Sequence, residues 1–274
     1  MYKSKKSTYG LYGVGVYLFS FGVIVLIGAV GVVFGFAIHK PIFALLGFGA
    51  VLYGIISTSG WYIGRYVIPG SPVDFARKVI SSLSLNGTEK VLDVGTGRGL
   101  FAIEVAKRLT SETVIGIDVW EPESTKRLTF VHKWAQPTRN SKDRACLNAE
   151  IERVEGKVKF INMDASHLDF GENTFDLVIC GYVISHLGRH GKKALNEINR
   201  VLKPTGKLLI VDNVRDFTYF LMSTPHLFLF SYIRGKKAKK LTSKYWTSML
   251  SETGFRNNRS ERAKGIMVIE AEKT

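Results

Sequence analysis

The chain has 274 residues, a formal net charge of +15 and two cysteines. This length allows one well-packed domain of roughly 200 residues plus an appendage. Two cysteines exclude a disulfide framework, and without a Cys-x-x-Cys or Cys/His cluster nothing suggests zinc, so a reducing compartment is the simplest interpretation. Because the apolar region at residues 11–63 carries a single charged side chain, Lys40, the remainder of the chain is distinctly basic and favours anionic partners.

Two long apolar runs open the chain, at residues 11–38 and 42–63, and Lys40 is the only formally charged side chain within them or between them. About 20 residues of helix cross a hydrocarbon core of about 30 Å, and Pro41 suits the first turn of a second helix. The pattern predicts an N-terminal transmembrane helical hairpin over residues 1–70. A cleaved signal peptide and a buried hairpin of a soluble protein are the alternatives.

Basic residues flank the two runs and set the expected orientation. They are Lys3, Lys5, Lys6, Arg65, Arg77 and Lys78. Since positive residues stay on the cytoplasmic side, the sequence predicts a multi-pass membrane protein with two spans, whose termini and catalytic domain are cytoplasmic.

From residue 71 to residue 274, β-type runs alternate with helical patterns. Strands are predicted at 90–94, 113–119, 157–163, 175–180 and 207–211. Helices are predicted at 72–83, 101–109, 144–154, 192–202 and 243–253, and residues 203–206 form a turn. The alternation predicts a doubly wound α/β fold, with a parallel sheet covered by helices on both faces. Two final β-type runs, near 255–262 and 265–271, predict a hairpin added to the sheet edge.

A glycine-rich loop, Asp93-Val94-Gly95-Thr96-Gly97-Arg98-Gly99, follows the first predicted strand. In an open parallel sheet, ligands bind beyond the carboxyl ends of the strands, and glycine lets the backbone approach a ligand closely. The dinucleotide fingerprint places its third glycine five residues after the first. Leu100 occupies that position here, which disfavours a nucleotide-dependent oxidoreductase.

Two more carboxylates end neighbouring strands. Asp118 follows the second strand and is placed to hold two ribose hydroxyls, and Asp164 follows the third and can bound an adenine edge. Val119 and Trp120 are candidates for an apolar face against the ring. Together with the glycine loop, these residues predict a nucleoside-containing ligand.

These motifs resemble the class I SAM-dependent methyltransferases, especially the small-molecule branch that includes quinone-biosynthesis enzymes. The resemblance covers roughly residues 72–272 and rests on VLDVGTGRGLFAIEVAKRL, VIGIDVW, VKFINMDASHLDF, FDLVICGYVISHL and ALNEINRVLKPTGKLLIVD. It implies S-adenosylmethionine as cofactor and a seven-stranded, mostly parallel sheet with a reversed last strand. The implied cofactor-binding residues are Asp93, Gly95, Thr96, Gly97 and Gly99 in the loop, Asp118, Val119 and Trp120, Asp164 and Ala165, and Cys180 and Gly181.

Methyl transfer depends mainly on aligning donor and acceptor, and a base is required only where the acceptor must lose a proton with a high pKa. His186 and Tyr182, after the fourth strand, are the predicted catalytic residues, with Asp212 and His226 as further candidates. The alternative for His186 is a helix residue packed on the sheet. No metal site is expected.

Two segments depart from common small members of this family. Residues 120–143 are an insertion that forms either a lid or a solvated loop. A substrate cap is predicted at 214–242, where the aromatic run 217–233 precedes a basic cluster that extends to Lys244. This cap is either interfacial on anionic lipid or buried over the acceptor site.

The sequence therefore predicts a membrane-anchored methyltransferase for a hydrophobic or membrane-associated small molecule, such as a quinone or a lipid. The alternatives are a methyltransferase for a soluble metabolite or a protein, with the hairpin as a tether only, and a non-catalytic SAM-binding membrane protein. Nucleic acid is not an expected partner, because the segment Cys180-Gly181-Tyr182-Val183 stands where base-methylating enzymes usually carry an Asn/Asp-Pro-Pro-aromatic loop.

Overall fold

The computed structural model describes residues 7, 9, 14–62, 71–120, 140–187, 190–213, 243–263 and 266–274. Residues 121–139 of the predicted insertion at 120–143 lie outside the described residues, and so does the predicted substrate cap at 214–242. The same holds for the basic residues that flank the hairpin before residue 7 and at position 65. The predicted division of the chain at residue 70 also lies there and stays a prediction.

The two apolar runs form helices α1 (Val14–Ala37) and α2 (Pro41–Tyr62). α1 ends at a left-handed residue, His39, with φ of 51°. His39 N donates to Phe36 O and Lys40 N donates to Gly35 O, which satisfies the last carbonyls of the helix. Pro41 then begins α2 directly, so the connection between the helices is tight.

Small residues let α1 and α2 pack with their backbones in contact. A Cβ atom added to Gly47 would lie 2.5 Å from Gly28 O, and one added to Gly35 would overlap the backbone of Ala44. The helices run antiparallel, and the larger side chains point outward. Phe36 and Leu45 are 71% and 69% exposed.

The membrane topology predicted from the apolar runs is wrong. Over the part of the chain that the structure describes, no helix is long and apolar enough to cross a membrane. This finding overturns the prediction of two spans with both termini and the catalytic domain on the cytoplasmic side.

The remainder of the chain alternates helices and strands as its hydrophobic pattern predicts. In chain order the elements are α3 (Pro72–Ser81), β1 (Val91–Val94), α4 (Leu100–Ala106), β2 (Val114–Asp118), α5 (Lys142–Ile151), a 3-10 turn (Glu155–Lys157), β3 (Val158–Asn162), β4 (Phe175–Gly181), α6 (Gly191–Val201), β5 (Leu202–Asn213), α7 (Ser243–Glu252), β6 (Phe255–Ala263) and β7 (Ile266–Lys273).

The strands form a seven-stranded sheet in the order β3-β2-β1-β4-β5-β7-β6. β1 to β5 pair in parallel, β7 pairs antiparallel with β5, and β6 pairs antiparallel with β7. The seven-stranded, mostly parallel sheet with a reversed last strand is therefore confirmed, and β6–β7 is the predicted hairpin at the edge. The chain reverses direction across the sheet between β1 and β4, where ligands bind in folds of this kind.

Helices cover both faces of the sheet. α3, α4 and α5 pack on one face through residues such as Ile80, Phe101 and Ala145. α6 and α7 pack on the other through residues such as Leu195 and Trp246. All four residues of β1 are buried, as expected for a central strand covered on both sides.

The start of β5 differs from its prediction. Residues 203–206 were predicted as a turn before a strand at 207–211, but β5 begins at Leu202 and includes them. Leu202 pairs with Phe175 and Lys207 pairs with Leu177, with a register shift between them. Thr205 takes φ of 60°, so the turn is an irregularity inside the strand and does not precede it.

Candidate active site

The glycine loop joins β1 to α4 and is tied to the neighbouring strand. Gly95 N and Thr96 N both donate to Ile117 O of β2, at 2.8 and 2.9 Å. Gly95, Gly97 and Gly99 take φ values of 71°, 58° and 83°, a left-handed conformation that glycine adopts without strain. The loop thus turns sharply at the carboxyl end of β1 and presents its backbone there.

Asp93 lies beneath this loop and is 1% exposed. Its Oδ2 accepts from Thr96 Oγ1 at 2.7 Å and from Ala102 N at 3.0 Å. Its Oδ1 has no hydrogen-bond partner among the described residues. Burial raises the pKa of Asp93 to about 7, although the bonds from Thr96 and Ala102 lower it. Because a buried acceptor without a donor is costly, Oδ1 is a ready acceptor for a cationic or N–H group of a ligand.

Two glycines of the site are required by close packing. A Cβ atom on Gly95 would lie 2.6 Å from Val183 Cγ2, and one on Gly181 would overlap the Phe101 ring. The segment after β4 therefore crosses directly over the glycine loop, and β4 lies against the first turn of α4.

Asp118 ends β2 beside the loop. Its Oδ2 accepts from Gly97 N at 2.7 Å. Burial raises the pKa of Asp118, while backbone hydrogen bonds from Gly97 and Val119 lower it. Asp118 was predicted to hold two ribose hydroxyls with its carboxylate oxygens, and the structure adds that this carboxylate also orders the glycine loop.

Val119 and Trp120 differ in position. Val119 is 57% exposed, whereas Trp120 is 7% exposed. The Trp120 indole Nε1 donates to Gly97 O at 3.0 Å, and its ring meets Phe160 edge-on with centroids 6.4 Å apart. Trp120 thus supports the loop from the core, while its predicted contact with a bound ring stays a prediction.

Asp164 and Ala165 follow β3 at the same edge of the sheet. Met163 N donates to Asp118 O at 3.1 Å, which holds the ends of β2 and β3 together. Asp164 is exposed, and its Oδ1 accepts from Ser166 N at 2.7 Å. This backbone bond is the main reason that the pKa of Asp164 is lowered. Ala165 is buried.

Cys180 lies near the end of β4 and is fully buried. Burial raises the pKa of its thiol well above the usual value, and the carboxylates of Asp93 and Asp212 raise it further. The thiol therefore stays protonated.

The segment after β4 carries the predicted catalytic residues. Tyr182 takes φ of 59°, a strained conformation for an aromatic residue, and its N–H donates to Val211 O at 2.7 Å. His186 is exposed, and its Nδ1 lies 3.2 Å from Ser185 Oγ. Ser185 in turn bonds Asp212 at the end of β5 through Oγ at 2.6 Å and through its backbone N–H at 2.9 Å. The structure therefore brings His186 and Asp212 together through a serine, while His226 lies outside the described residues.

Three contributions to the site were not predicted from the sequence. Ser185 links His186 to Asp212, the Trp120 indole holds Gly97, and Asn148 Nδ2 of α5 donates to Arg98 O at 3.0 Å. The position of Ser185 directly before a candidate base was an available signal. Asn148 stands 50 residues from its partner along the chain, and no local pattern indicates such a contact.

The residues predicted around the cofactor thus converge at the carboxyl ends of β1, β2, β3 and β4. A buried acceptor lies under a glycine loop, and two further carboxylates lie beside it. Residues 92–210, which span this region, match the family model described as "Methyltransferase domain". This part of the chain is therefore similar to methyltransferase domains.

Known proteins resemble this chain over about half of their own length. A phosphoethanolamine N-methyltransferase from Plasmodium falciparum is 30% identical over 54% of this chain and 48% of its own. A demethylmenaquinone methyltransferase from Bacteroides fragilis is 29% identical over 50% of this chain and 48% of its own.

Solved structures share the fold at lower identity. A SAM-dependent methyltransferase from Aquifex aeolicus is 20% identical, with a TM-score of 0.52 over 73% of this chain and 89% of that chain. One from Methanosarcina mazei is 21% identical, with a TM-score of 0.50 over 71% of this chain and 96% of that chain. These likenesses concern the fold alone.

The match to this family model supports an enzyme that uses S-adenosylmethionine. The residues present fit this group. The unpartnered Oδ1 of Asp93 matches the α-ammonium of its methionine part, and the carboxylate of Asp118 matches its ribose hydroxyls. The absence of a Cβ at Gly95 lets Val183 pack directly against the loop.

Proposed function

We propose that this protein transfers a methyl group from S-adenosylmethionine to a small-molecule metabolite. The observation that carries the proposal is the buried Asp93, whose Oδ1 lacks a partner among the described residues while its Oδ2 anchors the glycine loop. This atom lies at the sheet edge where Asp118 and Asp164 also end their strands. A site of this composition suits a ligand with one cationic end and one nucleoside end.

In the proposed complex, Asp93 accepts from the ammonium group and Asp118 accepts from the ribose. Gly181 and the turn at Tyr182 would lie next to the end of the cofactor that carries the methyl group, because the segment after β4 crosses over the glycine loop. When bound, S-adenosylmethionine supplies an electrophilic methyl group on a sulfonium centre. The main contribution of the protein is then to hold the acceptor in line with that methyl group in a site that excludes water.

His186 is the proposed base. It is exposed at the edge formed by β4 and β5, beyond the segment that packs over the glycine loop. When the acceptor takes the methyl group, the electron pair of the broken carbon–sulfur bond would stay on sulfur. The proton that the acceptor loses would move to Nε2 of the imidazole and from there to solvent. A positioned base of this kind contributes typically 10²–10⁴-fold to the rate.

The named relatives suggest two classes of acceptor. One is described as a phosphoethanolamine N-methyltransferase, which favours a soluble amine or alcohol, and this is the acceptor class we propose. Others are described as demethylmenaquinone methyltransferases, which makes a quinone the second candidate. The predicted cap at 214–242 would then supply the apolar contacts.

A labelled-methyl assay tests the proposal. The purified full chain is incubated with methyl-labelled S-adenosylmethionine and, separately, with phosphoethanolamine, a short-chain demethylmenaquinone and a cell metabolite extract, and the products are partitioned between water and organic solvent. The expected result is label in a water-soluble small molecule. Label in the organic phase favours the quinone, and label only in protein or in no product overturns both candidates.

Two variants make the assay specific. Asp118→Ala is expected to abolish labelling, since it removes a cofactor contact and the Gly97 hydrogen bond. Asp169→Ala is the matched control, because this carboxylate is 73% exposed and away from the strand ends, and it is expected to leave labelling unchanged. Equal loss in both variants would point to instability and not to a role in the site.

A further inference from the structure

Ser185 and Asp212 form a hydrogen-bonded chain that ends on His186. Asp212 is fully buried and is the last residue but one of β5. Its Oδ1 accepts from Ser185 Oγ at 2.6 Å and its Oδ2 accepts from Ser185 N at 2.9 Å. Two bonds to one residue fix both the carboxylate plane and the serine rotamer.

The hydroxyl of Ser185 carries a single proton, and the carboxylate of Asp212 can only accept. The 2.6 Å separation is typical of a charge-assisted O–H···O⁻ bond, so the proton lies between these two oxygens. Toward His186 the serine oxygen therefore presents a lone pair. Its distance to Nδ1, 3.2 Å, suits an N–H donor on the ring.

We infer that Ser185 and Asp212 are positioning residues that hold His186 in the tautomer with its proton on Nδ1, which leaves the lone pair of Nε2 free to take the acceptor's proton. The tautomer of a histidine is set by the bond that its other ring nitrogen makes. The buried carboxylate also stabilises the ring after it gains a proton, because its charge acts through the serine. This inference rests on the proposed function for its consequence in catalysis, but the tautomer itself does not depend on it.

Substitution of Asp212 by asparagine changes the outcome in a defined way. The amide oxygen would take the place of Oδ2, which accepts from Ser185 N, and the amide nitrogen would face Ser185 Oγ as a donor. The serine proton would then be free to point at Nδ1 of His186. Asp212→Asn is therefore expected to move the ring proton from Nδ1 to Nε2, where it blocks the base.

Nitrogen-15 NMR of the full chain with labelled histidine measures this tautomer directly. The expected result is an Nδ1–H ring for His186 in the wild type and in Ser185→Thr, which keeps a hydroxyl. Loss of that preference is expected in Ser185→Ala and in Asp212→Asn. His186→Gln assigns the signal. A wild-type ring protonated on Nε2, or a ring unchanged by Ser185→Ala, overturns the inference.

Kinetics separates this inference from the proposed function. In Ser185→Ala we expect kcat to fall at least tenfold while the Kd for S-adenosylmethionine stays within twofold, and in Ser185→Thr we expect kcat to recover. If the wild type transfers no methyl group to any acceptor, the proposed function fails and the NMR result still decides the tautomer. If Asp212→Asn does not fold, the pair of Ser185 variants decides alone.

Discussion

Asp93 is the residue whose environment most strongly shapes the chemistry of the site. Its carboxyl has a pKa of about 7 in the folded protein, against an ordinary value of 3.8, mainly because it is buried. The folded state therefore binds its proton more tightly than the unfolded state does. The stability that this proton contributes is present below about pH 4 and is lost as the pH rises through about 7.

This titration predicts a pH-dependent affinity for S-adenosylmethionine. Its ammonium group requires the ionised carboxylate, so below pH 7 binding must release the proton of Asp93. We expect the Kd to rise about tenfold for each pH unit below 6 and to be lowest between about 7 and 8, above which the α-amino group of the ligand loses its charge. Calorimetry from pH 5 to 8, in two buffers of different ionisation enthalpy, measures both the Kd and the released proton.

Asp93→Asn is the control for that experiment. It is expected to bind weakly with no pH dependence below 7, and its stability relative to the wild type is expected to increase between about pH 4 and 7. A wild-type Kd that stays flat from pH 5 to 7 would contradict the assignment of the proton to Asp93.

Gly181 offers a second test at the scale of one residue. A methyl group at this position overlaps the Phe101 ring, and overpacking of this kind typically costs about 1–3 kcal/mol. We expect Gly181→Ala to lower the free energy of unfolding by that amount and to weaken cofactor binding, because Phe101 lies in the first turn of α4, next to the glycine loop. Gly156→Ala, where nothing lies within 4 Å of the new atom, is the control and is expected to be near neutral in urea denaturation.

The sequence predicted which residues lie at the edge of the sheet proposed to bind the cofactor, but not the contacts that these residues make with one another. Strand ends and glycine spacing placed Asp93, Asp118 and Asp164 at one edge because parallel strands bring their carboxyl ends together. The sequence did not indicate that the backbone N–H of Gly97 donates a hydrogen bond to Asp118 Oδ2, or that Trp120 is buried in the core. Those contacts depend on how side chains orient after the sheet has formed, and a motif does not encode that orientation.

Among the elements, α3 and α4 are held together by a buried carboxylate. Glu104 is 1% exposed and meets Lys107 at 2.6 Å, Arg77 at 3.6 Å and Arg108 at 3.7 Å. Arg108 also donates to Ser81 Oγ at the end of α3, at 2.7 Å. One acidic group thus pairs with a cation of α3 and with two cations that directly follow α4.

Glu104→Gln is expected to destabilise the protein by about 1–2 kcal/mol. Removal of one partner of a fully buried pair typically costs 3–5 kcal/mol, but the three cations here retain water, since their side chains are 26–53% exposed. Urea denaturation checks the value. Asp74→Asn is the control, because the Asp74–Arg77 pair is largely exposed and such pairs contribute little, and an equal loss in both variants would refute the role assigned to Glu104.

Element positions followed from the hydrophobic pattern, and element ends did not. The helix predicted at 101–109 ends at Ala106, and the turn at 203–206 lies inside β5. Periodicity reports which face of a segment is buried, whereas ends depend on individual hydrogen bonds. The hairpin at the sheet edge was predictable because the two β-type runs that form β6 and β7 follow each other with no helical segment between them.

At the scale of the whole molecule, the apolar hairpin shows what hydropathy can and cannot predict. It located α1, α2 and the turn before Pro41 within a few residues, because the hydrogen bonds that end a helix and the placement of proline in its first turn depend on nearby residues. It did not predict the surroundings of the helices, and the two-span topology derived from it is wrong.

The residues before the hairpin also contact the domain after it. Tyr9 is 9% exposed and belongs to the core cluster that contains Ile80 and Phe101. Ser7 Oγ donates to Glu152, which also pairs with Lys107 at 2.9 Å. Ser7 and Tyr9, which precede α1 in the chain, therefore pack on the α3–α4–α5 face of the sheet.

Tyr9→Ala is expected to destabilise the methyltransferase domain although residue 9 lies outside residues 92–210. Truncation of a buried aromatic side chain leaves a cavity, and for a site at the edge of the core we expect a loss of about 2–3 kcal/mol. Urea unfolding of the full chain, followed by Trp fluorescence, measures it, because Trp120 belongs to the same cluster. Leu26→Ala removes a side chain that is 64% exposed on α1 and is expected to shift the transition by less than about 0.5 kcal/mol. If Tyr9→Ala behaves like Leu26→Ala, the N-terminal segment is not part of the domain's core, and the domain folds without it.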